Sequence, residues 1–175
     1  MMQLIPNSVL WTCLLVMIMS CKPASTRQMN SSISKDQMIE ANKMMVAYDA
    51  EMVNAYIERK AWNMTSSDDG YWYMIYEEGA GKKISFGDKV TFNYNVRLLD
   101  ESLCYSSDST GPKTVFIGKS DIESGLHIGL QLLKEGDKAR FIFPPQLAFG
   151  LIGDRDKIPM RSIIIYDVNV IQVVK

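Results

Sequence analysis

KARFIFPPQLAFG, Lys138 to Gly150, is the stretch from which the fold can be read. Ala139 to Phe143 is dense in aromatic and β-branched residues with no helix breaker, the composition of a strand. Pro144-Pro145 ends it, because proline donates nothing to a sheet ladder and restrains the residue before it. Ala148-Phe149-Gly150 follows as a loop, its glycine allowing close backbone approach. Upstream, GLHIGLQLLKEGD (Gly125 to Asp137) predicts a short helix with Leu126, Leu130 and Leu133 on one face. Downstream, Ile158-Pro159 leads into Ser162 to Val174, a nearly continuous apolar strand.

Further strands are expected at Tyr71 to Tyr76, at Lys89 to Leu99, where Val90, Phe92, Tyr94, Val96 and Leu98 alternate onto one face, at Leu103 to Ser106 and at Thr114 to Ile117. Asp100-Glu101-Ser102 is a turn between two of them. The sum is an α+β fold: a twisted antiparallel β-sheet wrapped around one short helix, preceded by a long N-terminal helix.

The order of these parts resembles the FKBP-type peptidyl-prolyl cis-trans isomerases. The glycine-flanked helix, Lys134-Glu135-Gly136-Asp137-Lys138-Ala139, the strand ending in proline, Ala148-Phe149-Gly150, Ile158-Pro159 and the last strand around Asp167-Val168 follow that family's pattern over about Gly70 to Lys175. The resemblance implies an isomerase, a rotamase that turns X–Pro bonds in proline-containing segments. That chemistry requires no cofactor and no metal. The barrier of about 18–20 kcal/mol is amide resonance, and a water-poor apolar cup favours the twisted, less polar amide.

Carried over position by position, the resemblance implies that Tyr94, Ile122, Phe149, Ile158 and Tyr166 form the catalytic wall. Cys104, Tyr105, Glu123 and Leu126 are the implied substrate contacts, with Leu126 beneath and Cys104 and Tyr105 at the rim. Phe149 stands where the family usually has a hydrogen-bonding tyrosine, and Tyr166 where it has phenylalanine. Cys104-Tyr105-Ser106 replaces Phe-Asp-Ser, Glu123 replaces an apolar residue, and Leu126 replaces a tryptophan. These departures imply reduced catalytic efficiency. The alternative is a non-catalytic chaperone or assembly factor that keeps the fold.

The N-terminal third adds a location. Val9 to Met19 is an apolar run too short to span a bilayer comfortably, and it closes on Ser20-Cys21 before polar sequence. Residues 1–20 are expected to be a lipoprotein signal peptide, with Cys21 lipidated and residues 21–33 a tether. The lipid would hold the chain to a membrane of the cell envelope, facing the periplasm. GYWYMIYEEG (Gly70 to Gly79), Tyr105-Ser106 and the lipobox together look like the gliding-motility-associated FKBP-type lipoproteins.

Ser34-Lys35-Asp36-Gln37 has capping-box spacing and opens the N-terminal helix, residues 34–63. Met38, Ala41, Met45, Tyr48, Met52 and Ala55 recur at three- and four-residue steps, with Ile39, Val46 and Val53 widening the stripe. This stripe could pack on residues 70–175, pair with a second copy as a homodimer, or accept a client's apolar segment.

The composition excludes other classes. A formal charge of −1 in 175 residues, with no basic stripe, offers no field for nucleic acid. Once Cys13 is removed and Cys21 lipidated, Cys104 has no intramolecular disulfide partner. No histidine at a suitable spacing makes it a nucleophile. His127 reads as a solvated surface residue and Asp154 to Lys157 as a solvated loop tip.

Overall fold

Alternating apolar residues drive the chain into one antiparallel sheet, and the computed structural model describes residues 34–175 of it. The signal segment, Cys21 and the 21–33 tether lie outside the described residues. The chain divides into two units, Met1–Met38 and Ile39–Lys175. In the first unit, the capping box at the helix start is formed: the Ser34 hydroxyl accepts from the Gln37 N–H at 3.1 Å, and the Gln37 side chain accepts from the Ser34 N–H at 2.9 Å.

Helix α1 spans Lys35–Lys60. Strands β1 Thr65–Ser66, β2 Trp72–Glu77, β3 Lys89–Leu98 and β4 Leu103–Ser106 follow. A one-turn helix α2, Ser107–Thr110, precedes β5, Lys113–Phe116. Helix α3 is Ser124–Leu130, and β6, Lys138–Phe143, runs into a 3₁₀ turn at Pro145–Leu147. Strand β7, Ile164–Val174, closes the sheet. The strand order is β1-β2-β6-β7-β3-β4, with β5 also on β3 and every pairing antiparallel.

The sheet is covered on both faces, which explains why β6 and β7 read as almost unbroken apolar runs. Phe141 pairs with Tyr166, and both lie in the cluster beneath α3 with Phe143, Leu126, Leu130 and Leu133. Their neighbours Ile142 and Ile165, also paired, turn to the opposite face and meet Val53 and Tyr56 of α1. Helix α3 lies very close to the strand beneath it. A Cβ on Gly125 would stand 2.5 Å from the Phe143 ring and 2.8 Å from the Leu147 carbonyl oxygen, so glycine is required there.

Two expectations need correction. The helix expected over Gly125 to Asp137 ends at Leu130. Leu133 is still fully buried, but its carbonyl accepts from the Ile84 N–H at 3.0 Å, and Lys134 forms a backbone bridge with Lys83. A tertiary backbone pairing here overrides the helical leucine spacing. The second correction concerns α1. Of the expected stripe, Val53 is fully buried and Met45 half-buried, while Tyr48 and Met52 are 61% and 42% exposed; Asp49 and Tyr56, outside the stripe, are buried. The face that packs includes a charge pair: both oxygens of Asp49 accept from the Arg161 guanidinium at 3.0 Å. Ala61, with φ of 52°, then reverses the chain, and Trp62 folds back edge-on against Tyr56 at 5.5 Å.

Candidate functional site

Between the end of β3, the start of α3 and the loop after β6 lies a cavity of about 500 Å³. Its floor is Tyr166, which the inward register of β7 holds at 1% exposure. The Tyr94 ring of β3 lies 6.1 Å from it, and the Phe143 ring 6.3 Å. The Tyr94 hydroxyl is fixed by Thr110 at 3.0 Å. Ile122 and Glu123 form the wall where the chain enters α3, and Ala148 and Phe149 form the wall opposite. The rings and branched side chains of this cup suit a flat apolar ligand ring, and Lys113, Asp121, Glu123, Ser124 and Asp154 set polar groups around it.

Two polar pairs line it. The Tyr166 hydroxyl donates to Glu123 Oε1 at 3.4 Å. Burial first, then the adjacent Glu123 charge, push the Tyr166 phenol well above its ordinary value, so it remains a neutral donor at any physiological pH. At the rim, the Tyr105 hydroxyl donates to Asp154. The other Asp154 oxygen accepts the N–H groups of Asp156 at 2.9 Å and Ile158 at 2.8 Å. The hydrogen bond to Asp154, ahead of burial, raises the Tyr105 phenol far above the usual tyrosine range.

Asp154 is therefore a structured cavity residue rather than a solvated loop tip. A carboxylate stands at the rim, supplied by the loop after β6 instead of by β4. Sequence reasoning misses it because its partner lies 49 residues away. A local signal exists: Gly153-Asp154-x-Asp156 is the composition of a turn closed by an aspartate side chain.

The model of the FKBP-type peptidyl-prolyl cis-trans isomerases matches residues 81–171. The chain belongs to that family. A probable FKBP-type peptidyl-prolyl cis-trans isomerase, FkpA, of Neisseria meningitidis is 31% identical over 137 residues, covering 77% of this chain and 50% of the relative. A probable FKBP-type isomerase of Haemophilus influenzae is 28% identical over 150 residues, covering 86% and 58%. This chain thus spans about half the length of these curated relatives, 50% of one and 58% of the other. The crystal structure of FkpA from Escherichia coli shares the fold, with a TM-score of 0.59 at 24% identity over 82% of this chain and 74% of that one.

Within this FKBP-type domain, Tyr94, Tyr105, Ile122, Glu123, Phe149 and Tyr166 meet at the cavity. Leu126 is fully buried in the core beneath α3 and does not line the wall. Ile158 is 2% exposed and Cys104 4%; both belong to the core. Cys104 is therefore not at the rim, and its sulfur faces the Lys157 carbonyl at 3.5 Å. Burial, followed by the Asp154 charge, raises its thiol, which keeps it protonated and unreactive. His127 is more engaged than a solvated residue. Its Nδ1 accepts from the Gly118 N–H at 2.9 Å, so Nε2 carries the proton and donates to the Ser120 carbonyl at 2.9 Å. It ties the loop leading to Ile122 onto α3.

The Asp154 turn carries a pH dependence. Burial alone would raise this carboxyl, but the Tyr105 hydroxyl and the two backbone N–H groups outweigh it and hold the group below its ordinary value. A folded-state value below the unfolded one means that the contribution is complete above the ordinary carboxylate range, near pH 3.9. It is lost as pH falls through the folded value. The Tyr105 ring resonances should thus be constant from neutral pH to about pH 5 and shift below about pH 4. Asp154→Asn should abolish that shift in an NMR titration.

Proposed function

We propose that this chain is a peptidyl-prolyl cis-trans isomerase that acts on proline-containing segments of exported proteins while tethered to the envelope by lipid on Cys21. The observation that carries the activity is the Tyr94–Tyr166–Phe149 cup in a domain of this family. The prolyl ring would lie on Tyr166 with Ile122 and Phe149 on either side. No group in the cup needs to attack a bond, because lowering the rotational barrier requires only a site that holds the twisted amide better than the planar one. Tyr166 and Tyr105 remain neutral donors around it. Phe149 offers no hydroxyl, so one polar contact is lacking, and turnover should be lower than with a tyrosine there by about tenfold for each 1.4 kcal/mol lost.

Non-catalytic holding of clients, or assembly of a gliding-motility machine, is the second reading. The exposed Tyr48 and Met52 on α1 favour it, since they leave apolar surface for a second copy or a client. Refolding of a substrate protein limited by an X–Pro bond separates the two. An isomerase accelerates the slow phase at substoichiometric amounts, whereas a holdase raises only the yield. The anchor is tested by fractionation. Cys21→Ser should move the protein from the membrane pellet to the soluble fraction, and a wild type already soluble would remove the lipid from the account.

A further inference from the structure

The cavity is more acidic than an apolar cup requires, and one of its acids lacks a partner. Glu123 is only 9% exposed, and its Oε2 is a buried side-chain oxygen with no hydrogen-bond partner among the described residues. Its other oxygen has only the 3.4 Å contact with the Tyr166 hydroxyl, a neutral group. None of the ion pairs among the described residues involves Glu123. A buried carboxylate without a counter-charge is unfavourable unless a cation arrives with the ligand. Asp121 and Asp154 line the same cavity with one lining ammonium, Lys113, 5.9 Å over the Tyr94 ring, and a second, Lys157, 5.2 Å over the Tyr105 ring at the rim. Glu123, Asp121 and Asp154, with Asp156 accepting from the Tyr105 hydroxyl at 3.3 Å, outnumber the two ammonium groups and give the cleft a net negative field, which its low-dielectric walls concentrate.

This charge is not what a bare proline asks for, since the ring has neither charge nor donor. The residue before the proline is different. With the ring on Tyr166, the bond that rotates joins the proline to that residue, whose side chain then lies nearest the polar wall. We propose that the cavity selects segments with lysine or arginine immediately before the proline, the cationic head held over Glu123 between Asp121 and Asp154. This rests on the reading that the cavity receives X–Pro segments and makes that reading more specific. Glu123 is the specificity-determining residue, and Asp121 and Asp154 add to the field.

The test uses full-length protein in an uncharged detergent with four peptides that differ only before proline: Lys, Arg, Leu or Glu. Both kcat/KM for isomerisation and peptide affinity by fluorescence anisotropy are measured. Lys and Arg should exceed Leu by about tenfold at low ionic strength, with Glu lowest. Raising the salt to about 0.5 M should shrink the Lys:Glu ratio several-fold, because the Debye length falls to a few ångströms. Glu123→Gln should shrink the same ratio, and if that variant folds poorly the salt series in wild type decides alone. Leu equal to or better than Lys, with a ratio indifferent to salt, overturns the proposal. If no peptide is isomerised but affinity still ranks Lys and Arg first, the selectivity stands and the isomerase reading falls. If no peptide binds, both fall.

Discussion

Tyr166→Ala is expected to be the most damaging single change at the site, lowering kcat/KM for X–Pro isomerisation by about a hundredfold or more and destabilising the fold by about 3–5 kcal/mol. The ring is 1% exposed and forms the floor on which Tyr94 and Phe143 both rest. Its removal joins a cavity in the core to the open cleft, so a substrate ring loses its platform. Tyr166→Phe separates the two effects. It keeps the platform but withdraws the one donor to Glu123 Oε1 among the described residues, at a cost of about 1–3 kcal/mol for the unsatisfied acceptor. Chemical denaturation of both variants, alongside peptide titration, distinguishes loss of the floor from loss of the hydroxyl. Equal behaviour of the two would mean that the ring itself contributes little.

The second large effect is expected at Gly153, which has no side chain of its own but precedes Asp154 in the rim turn. Its φ is 75°, and a Cβ there would lie 2.2 Å from the Ile158 carbonyl oxygen and 2.7 Å from Pro159 backbone atoms. Backbone on both sides leaves no cheap relaxation, so Gly153→Val should cost about 3 kcal/mol or more. For a chain of this size that lowers Tm by roughly 6–12 °C. The change should also separate Asp154 from Tyr105. The Tyr105 phenol, raised chiefly by that hydrogen bond, should then titrate closer to its ordinary value of about 10. A Gly153→Val protein in which Tyr105 titrates as in wild type would show that the turn does not hold the carboxylate in place.

The contrast between these residues shows what sequence carries and what it does not. Val90, Phe92 and Val96 alternate because one face of β3 is buried, and a period of two is legible directly. Helix α1 obeys its capping box, but its buried face follows its apolar stripe only in part. The buried face carries the Asp49–Arg161 ion pair beside Val53 and Tyr56, while Tyr48 and Met52 stay outside. Periodicity detects apolar stripes and is blind to a partner 112 residues away. Asp154 escapes for the same reason, because its role depends on the Tyr105 hydroxyl from another strand. Cys104 and Ile158 sit at positions matching a family pocket, yet both are buried in the core. Position in a pattern does not report depth.

Magnetisation-exchange NMR on a proline tetrapeptide, with the full-length chain at about a tenth of the peptide concentration, measures the central claim without a coupling protease. Uncatalysed X–Pro exchange takes tens to hundreds of seconds. With the protein present, exchange cross-peaks between cis and trans forms should appear on the second timescale, grow in proportion to protein, and vanish with Tyr166→Ala. Exchange that stays at the uncatalysed rate while the peptide demonstrably binds the cavity would contradict an isomerase.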